Sequence, residues 1–189
     1  IPGQTGWRRS VHRYVQSNWC SAIQRQGLQP MNQIIRDQSI VETDYHMVTE
    51  VSDPGIKGQI LPMNALLEHI ASLSGRRDLG VWLDADEDVE ELEVHLDQIA
   101  VIALNFPTYN DGRALSSANI LRRRYGFEGE IRAIGDVRRD QLEQMQRCGF
   151  NAYSMAEGQD IAASLSGLKG FSHSYQSAID RTEPLFRSR

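Results

Sequence analysis

The sequence predicts an α/β fold: repeated strand–helix units forming a mostly parallel sheet, either an open sheet or a partial barrel, with a short N-terminal hairpin. Three observations lead there. Short strand-like runs recur at Leu79–Leu83, Ala100–Leu104, Glu130–Ile134 and Phe150–Met155. They are too short for helices, and Ala100–Leu104 is β-branched enough for a buried strand. Between them, apolar residues fall at helical spacing over roughly ten to thirteen positions, the alternation of βαβ units. Glycines and Pro107 punctuate the junctions, where an all-helical reading of the same runs has no use for them.

From the N-terminal side, Ile34-Ile35 and Ile40-Val41 flank Arg36-Asp37-Gln38-Ser39, two β-branched pairs around a turn and hence a small hairpin. Ser52-Asp53-Pro54-Gly55 is a turn signal. Gln59–Leu61 reads as a strand, and Pro62 suits the first turn of a helix because its missing N–H is not needed there. Leu66, Leu67 and Ile70 give that helix an apolar face, with Gly75 as its stop. After Leu79–Leu83, Asp86-Glu87-Asp88 opens a helix with favourable acids at its positive end, and Val89, Leu92, Leu96 and Ile99 line its buried face. Beyond the strand Ala100–Leu104, a loop from Phe106 to Gly112 leads to a helix carrying Ala114, Ala118, Leu121 and Tyr125. Strand Glu130–Ile134 exits through Gly135-Asp136 to a third helix with Val137, Leu142 and Met145 inward and Gly149 at its end. The strand Phe150–Met155 follows, and Ile161 and Leu165 mark one more helix.

The chain has 189 residues, 40% hydrophobic and 24% charged, with a net charge of −5. Its length allows one domain with its own core. No apolar run approaches the roughly 20 residues that cross a bilayer, so no membrane association is expected. Cys20 and Cys148 are too few for a disulfide framework, which fits a reducing cytoplasm. The acidic balance argues against wholesale nucleic-acid binding. Charge is uneven: residues 1–30 hold Arg8, Arg9, Arg13 and Arg25 and no acid, a net of +4 that leaves −9 for the remainder. This segment is a targeting peptide, a basic arm or sequence preceding a native start at Met31. The last reading is the expectation, with some order left open through Trp7, Tyr14 and Trp19. The domain is then 31–179, with 180–189 a fraying tail.

Parallel α/β folds bind ligands beyond the carboxyl ends of their strands. Those ends carry Asp84, Asn105, Tyr109, Asp111, Arg113, Asp136, Arg139 and Asp140. Asp111 is a candidate N-cap, Gly112 permits close approach, and Arg113 beside a helix N-terminus makes a candidate oxyanion site. The alternative is a capped helix with Arg113 solvated or paired to Asp111. Arg138-Arg139-Asp140 oppose the dipole of the next helix, a local conflict that functional sites tolerate; a structural pair of Arg139 with Asp136 or Asp111 is the alternative. Arg122, Arg123 and Arg124 are a solvated face or a patch for docking an acidic partner. Cys148 ends a helix whose dipole raises its pKa and is expected to be structural. The five histidines have no metal-ligand spacing, and no glycine-rich phosphate or dinucleotide motif occurs.

The run from Phe106 to Tyr153, FPTYNDGRALSSANILRRRYGFEGEIRAIGDVRRDQLEQMQRCGFNAY, resembles an uncharacterised bacterial family, domain of unknown function nine-three-four. The likeness extends back through Leu79–Asp84 to Met31 and forward to Tyr175-Gln176. The family's Asp-Gly-Arg falls on Asp111, Gly112 and Arg113, and its following Ser on Ser116. Its Leu-Arg falls on Leu121 and Arg122. Its Gly-Glu-x-Arg-Ala-x-Gly-Asp falls on Gly129, Glu130, Arg132, Ala133, Gly135 and Asp136. Its Arg-Asp-Gln falls on Arg139, Asp140 and Gln141, and its Arg-Cys-Gly-Phe on Arg147 through Phe150. Where the family often has Gly-Tyr after Asp-Gly-Arg, this chain has Ala114-Leu115. The resemblance implies an oxidoreductase of sulfite reduction, a label resting on association with sulfate-assimilation genes.

The expected function is therefore an accessory protein or oxidoreductase of assimilatory sulfite reduction. Gly112, Arg113, Arg132 and Arg139 would bind a small oxyanion, with Asp111 and Asp136 orienting them or acting as acid and base. The alternative is an interaction module that docks on a sulfite reductase component through Arg122, Arg123 and Arg124. Cofactor and substrate stay open.

Overall fold

The computed structural model describes residues 33–48, 53, 56–170, 177–180 and 185–187. The readings made for residues 1–30, for the turn residues 52, 54 and 55, for Tyr175-Gln176 and for most of the tail lie outside them. Eight strands form one sheet: β1 (Gln33–Arg36), β2 (Ser39–Glu42), β3 (His46–Met47), β4 (Gln59–Pro62), β5 (Leu79–Leu83), β6 (Ile99–Phe106), β7 (Glu130–Gly135) and β8 (Ala152–Tyr153). The helices are α1 (Met63–His69), α2 (Arg113–Arg123), α3 (Leu142–Cys148) and α4 (Ile161–Ser164).

The strand order is β2-β1-β8-β7-β6-β5-β4-β3. Pairings from β3 through β8 are parallel, whereas β1 runs antiparallel to both β2 and β8. The sheet is thus mixed, correcting the expectation of a mostly parallel one. The hairpin forms where expected, its turn made by Asp37 and Gln38 with φ of 48° and 63°, the geometry that matches strand twist. It is not an appendage, however. Ile34 and Ile35 are both buried, so β1 needs cover on two faces and gains it by pairing with β8.

The sheet is open and strongly curled, a half-barrel, and its connectivity requires the curl. β2 and β3 are the two opposite edges, yet only Thr43-Asp44-Tyr45 separates them. Four Cα steps reach at most about 14 Å, while eight strands laid flat span about 34 Å. The strand-register pairs sort the side chains into two faces. Leu61, Val81, Leu83, Ile102, Leu104, Ile131, Ala133 and Tyr153 pack with Leu66, Leu92, Ala118, Leu121, Leu142 and Met145 of the helical layer. The other face carries Ile34, Ile60, Val101, Ala103, Ile134 and Ala152, all buried. Thr43, in the segment crossing between the edges, accepts a hydrogen bond from Arg132 on that second face at 2.9 Å. The curl therefore encloses it.

Several boundaries differ from expectation for local reasons. Val89–Gln98 is a ten-residue 3-10 helix, capped by Asp88 Oδ1 accepting from Glu90 N–H, and not an α-helix. Its rise of about 2.0 Å per residue covers about 20 Å where an α-helix covers about 15 Å, which returns the chain along the whole of β5. Its buried residues Val89 and Leu92 are three apart, as that geometry requires. Ile99, read as helical, opens β6 instead, and β6 runs on through Asn105 and Phe106. The last strand shrinks to Ala152–Tyr153 because Asn151 diverts the ladder: its side-chain oxygen accepts from Ile131 N–H at 2.8 Å. Gly149 closes α3 in the left-handed region at φ 113°, as its position predicted. Among the described residues no helix is long and apolar enough to cross a membrane.

Candidate functional site: the carboxyl rim of the half-barrel

The carboxyl ends of β5, β6 and β7 and the loops after them form one rim. At its inner side, Asn105 Nδ2 donates to Asp84 Oδ1 at 3.0 Å and ties the ends of β5 and β6 together. Ala85 N–H shares the same oxygen at 2.8 Å. Asn105 is 4% exposed, and its Oδ1 is buried with no hydrogen-bond partner. It rests against Gly135, where an added Cβ would stand 2.5 Å from that oxygen and 2.3 Å from Phe106 O. Gly135 adopts φ 95°, a conformation costly for any residue with a Cβ. That turn aims Asp136 back across the rim, its N–H donating to Phe106 O at 2.8 Å.

Asp136 then organises the loop after β6. Its carboxylate accepts from Tyr109 N–H at 3.1 Å and from Arg138 Nε and Nη2 at 2.8 and 3.1 Å. Gln141 Nε2 donates to Tyr109 O at 2.9 Å, and the Tyr109 hydroxyl donates to Asp140 Oδ2 at 2.5 Å. The Arg138 guanidinium lies 5.2 Å from the Tyr109 ring centroid, in cation–π range. Tyr109 is 40% exposed, yet its backbone, ring and hydroxyl are each held. The bond to Asp140 also keeps the phenol protonated, raising its pKa.

Asp111 and Arg113 repeat the arrangement at the start of α2. Arg113 N–H and Nε donate to Asp111 Oδ1 at 3.1 and 3.0 Å, and Nη2 donates to Oδ2 at 2.6 Å. Gly112 occupies the cap position and Asp111 sits one residue earlier, still accepting from the first helical N–H. The bond to Arg113 holds the Asp111 carboxyl below the ordinary carboxylate range, and the bond to Arg138 does the same for Asp136. In both pairs the acid lies underneath: side-chain exposure is 57% for Arg113 against 14% for Asp111, and 51% for Arg138 against 29% for Asp136. Outward, the rim presents guanidinium groups and one fixed tyrosine.

The remaining site residues read from the sequence are scattered. Arg132 is not on the rim. It is 3% exposed, its Nε donates to Glu130 Oε1 at 2.6 Å and its Nη2 donates to Thr43, so it pins the crossing segment to β7. Glu130 two residues earlier on the same face, inside an otherwise apolar strand, was the signal for such a pair. Arg122 does not join Arg123 and Arg124 on a common surface. It turns inward, donating to Gly149 O and Gly129 O at 2.9 Å, to Phe127 O, and to Asn151 Oδ1 at 3.2 Å. Arg123 and Arg124 are exposed, and Arg124 pairs with Glu90 at 2.6 Å. Asp136 pairs with Arg138, the neighbour of the arginine named for that role. Arg139 is exposed, and no other described side chain bonds its guanidinium. Cys148 is half-buried, and burial pushes its thiol pKa up. Among the described residues no three His, Cys, Asp or Glu side chains gather as a metal site. Sequence reading missed Arg138 and Gln141 as the clamps of Tyr109, since nothing local marks which loop each reaches.

A family model described as bacterial protein of unknown function (DUF934) matches residues 80–186, more than half of the chain, from inside β5 past the last described residue of the rim. No curated protein matches the chain.

Proposed function

The chain belongs to the DUF934 family of bacterial proteins of unknown function, and we propose that it is a binding, non-catalytic accessory protein of assimilatory sulfite reduction. Its carboxyl rim docks on an acidic surface of a sulfite reductase component. One observation carries the binding part: the two rim acids lie beneath the arginines that neutralise them. A general base needs a free carboxylate with a pKa tuned toward the working pH. Asp111 and Asp136 are instead held low by guanidinium hydrogen bonds. Outward-facing arginines around a rigid, part-exposed tyrosine are the composition of a protein-docking hot spot. The sulfite-reduction part rests on the label that proteins of this resemblance carry.

The test is co-purification of the tagged full chain with sulfite reductase, read by mass spectrometry at low and high salt. The reductase component is expected with the wild type and lost both with Arg113→Glu/Arg138→Glu and at about 0.5 M salt, where the screening length falls to a few ångströms. Equal recovery with the charge-reversed chain refutes rim docking. Sulfite turnover by the purified chain that disappears in Asp136→Asn refutes the non-catalytic reading.

A further inference from the structure

A concavity adjoins the Arg138–Asp140 turn. It is an open cleft of about 480 Å³ between that turn, α3 and the 3-10 segment Leu165–Leu168 that continues α4. Its walls come together through a glycine: at Gly167 a Cβ would stand 2.3 Å from Arg139 O. Close backbone packing thus fixes the spacing of the two sides. Arg139 lines the cleft from the turn and Lys169 from the end of the 3-10 segment. Both residues are exposed, and among the described residues neither charged group has a hydrogen-bond or ion-pair partner. That separates them from Arg113 and Arg138, each of which is bonded to an aspartate. Asp140 and Glu143 line the same cleft, and Asp140 has committed one oxygen to Tyr109.

We infer that this cleft binds a small organic phosphate or sulfate monoester that also carries hydroxyl groups. Two cationic residues that line one cleft from separate elements, with no partner among the described residues, suit a tetrahedral oxyanion, which accepts charge-assisted hydrogen bonds from several directions. The volume is several times what a bare sulfate fills and lies within the range of small-molecule sites, about 300–1,000 Å³. The carboxylates beside the cations are acceptors and repel a second anionic group, but they suit the hydroxyls of a sugar. An anionic head with a polyhydroxylated tail therefore satisfies every wall, and inorganic phosphate satisfies only half of them.

Calorimetric titration of the full chain with ribose 5-phosphate, with inorganic phosphate and with inorganic sulfate tests this. Ribose 5-phosphate is expected to bind at least tenfold more tightly than either inorganic ion. Arg139→Ala and Lys169→Ala are each expected to weaken it about tenfold, the loss of one charge-assisted hydrogen bond. Neither charged group bonds a described neighbour, so both variants keep a melting temperature close to that of the wild type. Arg123→Ala, an exposed arginine outside the cleft, leaves binding unchanged. The inference is overturned if the ester binds no better than inorganic phosphate, or if Arg139→Ala and Lys169→Ala bind it as the wild type does. Arg138 also lines the cleft, so reductase docking is read separately through Arg113→Glu alone, and either result leaves the other standing or falling by itself.

Discussion

Replacing Gly135 by alanine tests how the rim is built. Two costs act there, and the structure separates them. The first is conformational: φ is 95°, and a Cβ in the left-handed region costs about 1–2 kcal/mol. The second is steric, because the new methyl meets Phe106 O at 2.3 Å and Asn105 Oδ1 at 2.5 Å. Neither can retreat freely, since Phe106 O accepts from Asp136 N–H and Asn105 is tied to Asp84. Overpacking of this kind costs about 1–3 kcal/mol, so Gly135→Ala should lose about 2–5 kcal/mol. Gly126 supplies the control: its φ is 63° and an added Cβ meets nothing within 4 Å, so Gly126→Ala should lose only the conformational part, about 1–2 kcal/mol. Urea denaturation of both variants measures the difference. With a slope of about 2 kcal/mol/M, the midpoint of Gly135→Ala should fall by about 1–2.5 M, clearly below that of Gly126→Ala. Equal midpoints would refute the close approach of β7 to β6 at the rim, and with it the account of how Asp136 is aimed.

Three further outcomes follow from the placements described. Arg132→Met should destabilise by about 3 kcal/mol, because the Glu130 carboxylate keeps only the more exposed Arg36, at 3.4 Å, as a charged partner; the double variant Arg132→Met/Glu130→Gln should recover part of that loss, and a single-variant loss below 1 kcal/mol would refute the buried pair. Arg122→Ala should lower the denaturation midpoint by the equivalent of about 2–4 kcal/mol, because several carbonyls lose a charged donor, whereas Arg123→Ala should stay within about 0.5 kcal/mol; equal effects would return Arg122 to the surface. For pH, carboxyl pKa values of Asp111 and Asp136 measured by NMR should lie below 3.8. Because the folded pKa is the depressed one, the stabilisation from these pairs is complete above the unfolded value near 4 and is lost as pH falls through the folded value. A carboxyl at either position titrating above 5 would contradict the ion pairs.

Much of the architecture is legible in the chain itself. Short β-branched runs between helical periods can bury themselves only as a sheet covered by helices, and that is the layer found from β5 to β7. The paired isoleucines around Asp37-Gln38 likewise permit little but a hairpin. Gly135 before Asp136, and Asp111 two residues before Arg113, mark the rim because strand ends, caps and glycine turns are local chemistry. Tertiary structure decided the rest. Whether the sheet would be parallel or mixed depended on where β1 found a partner for its second buried face. Whether it would lie flat or curl depended on the three residues that link its two edges. The charges show the same division. One arginine in Arg122-Arg123-Arg124 turns inward to carbonyls from the two separate loops before β7 and β8, and Arg132 is enclosed beneath Thr43. A charged side chain is retained in the interior only where distant groups converge to satisfy it, and that convergence is a property of the folded chain.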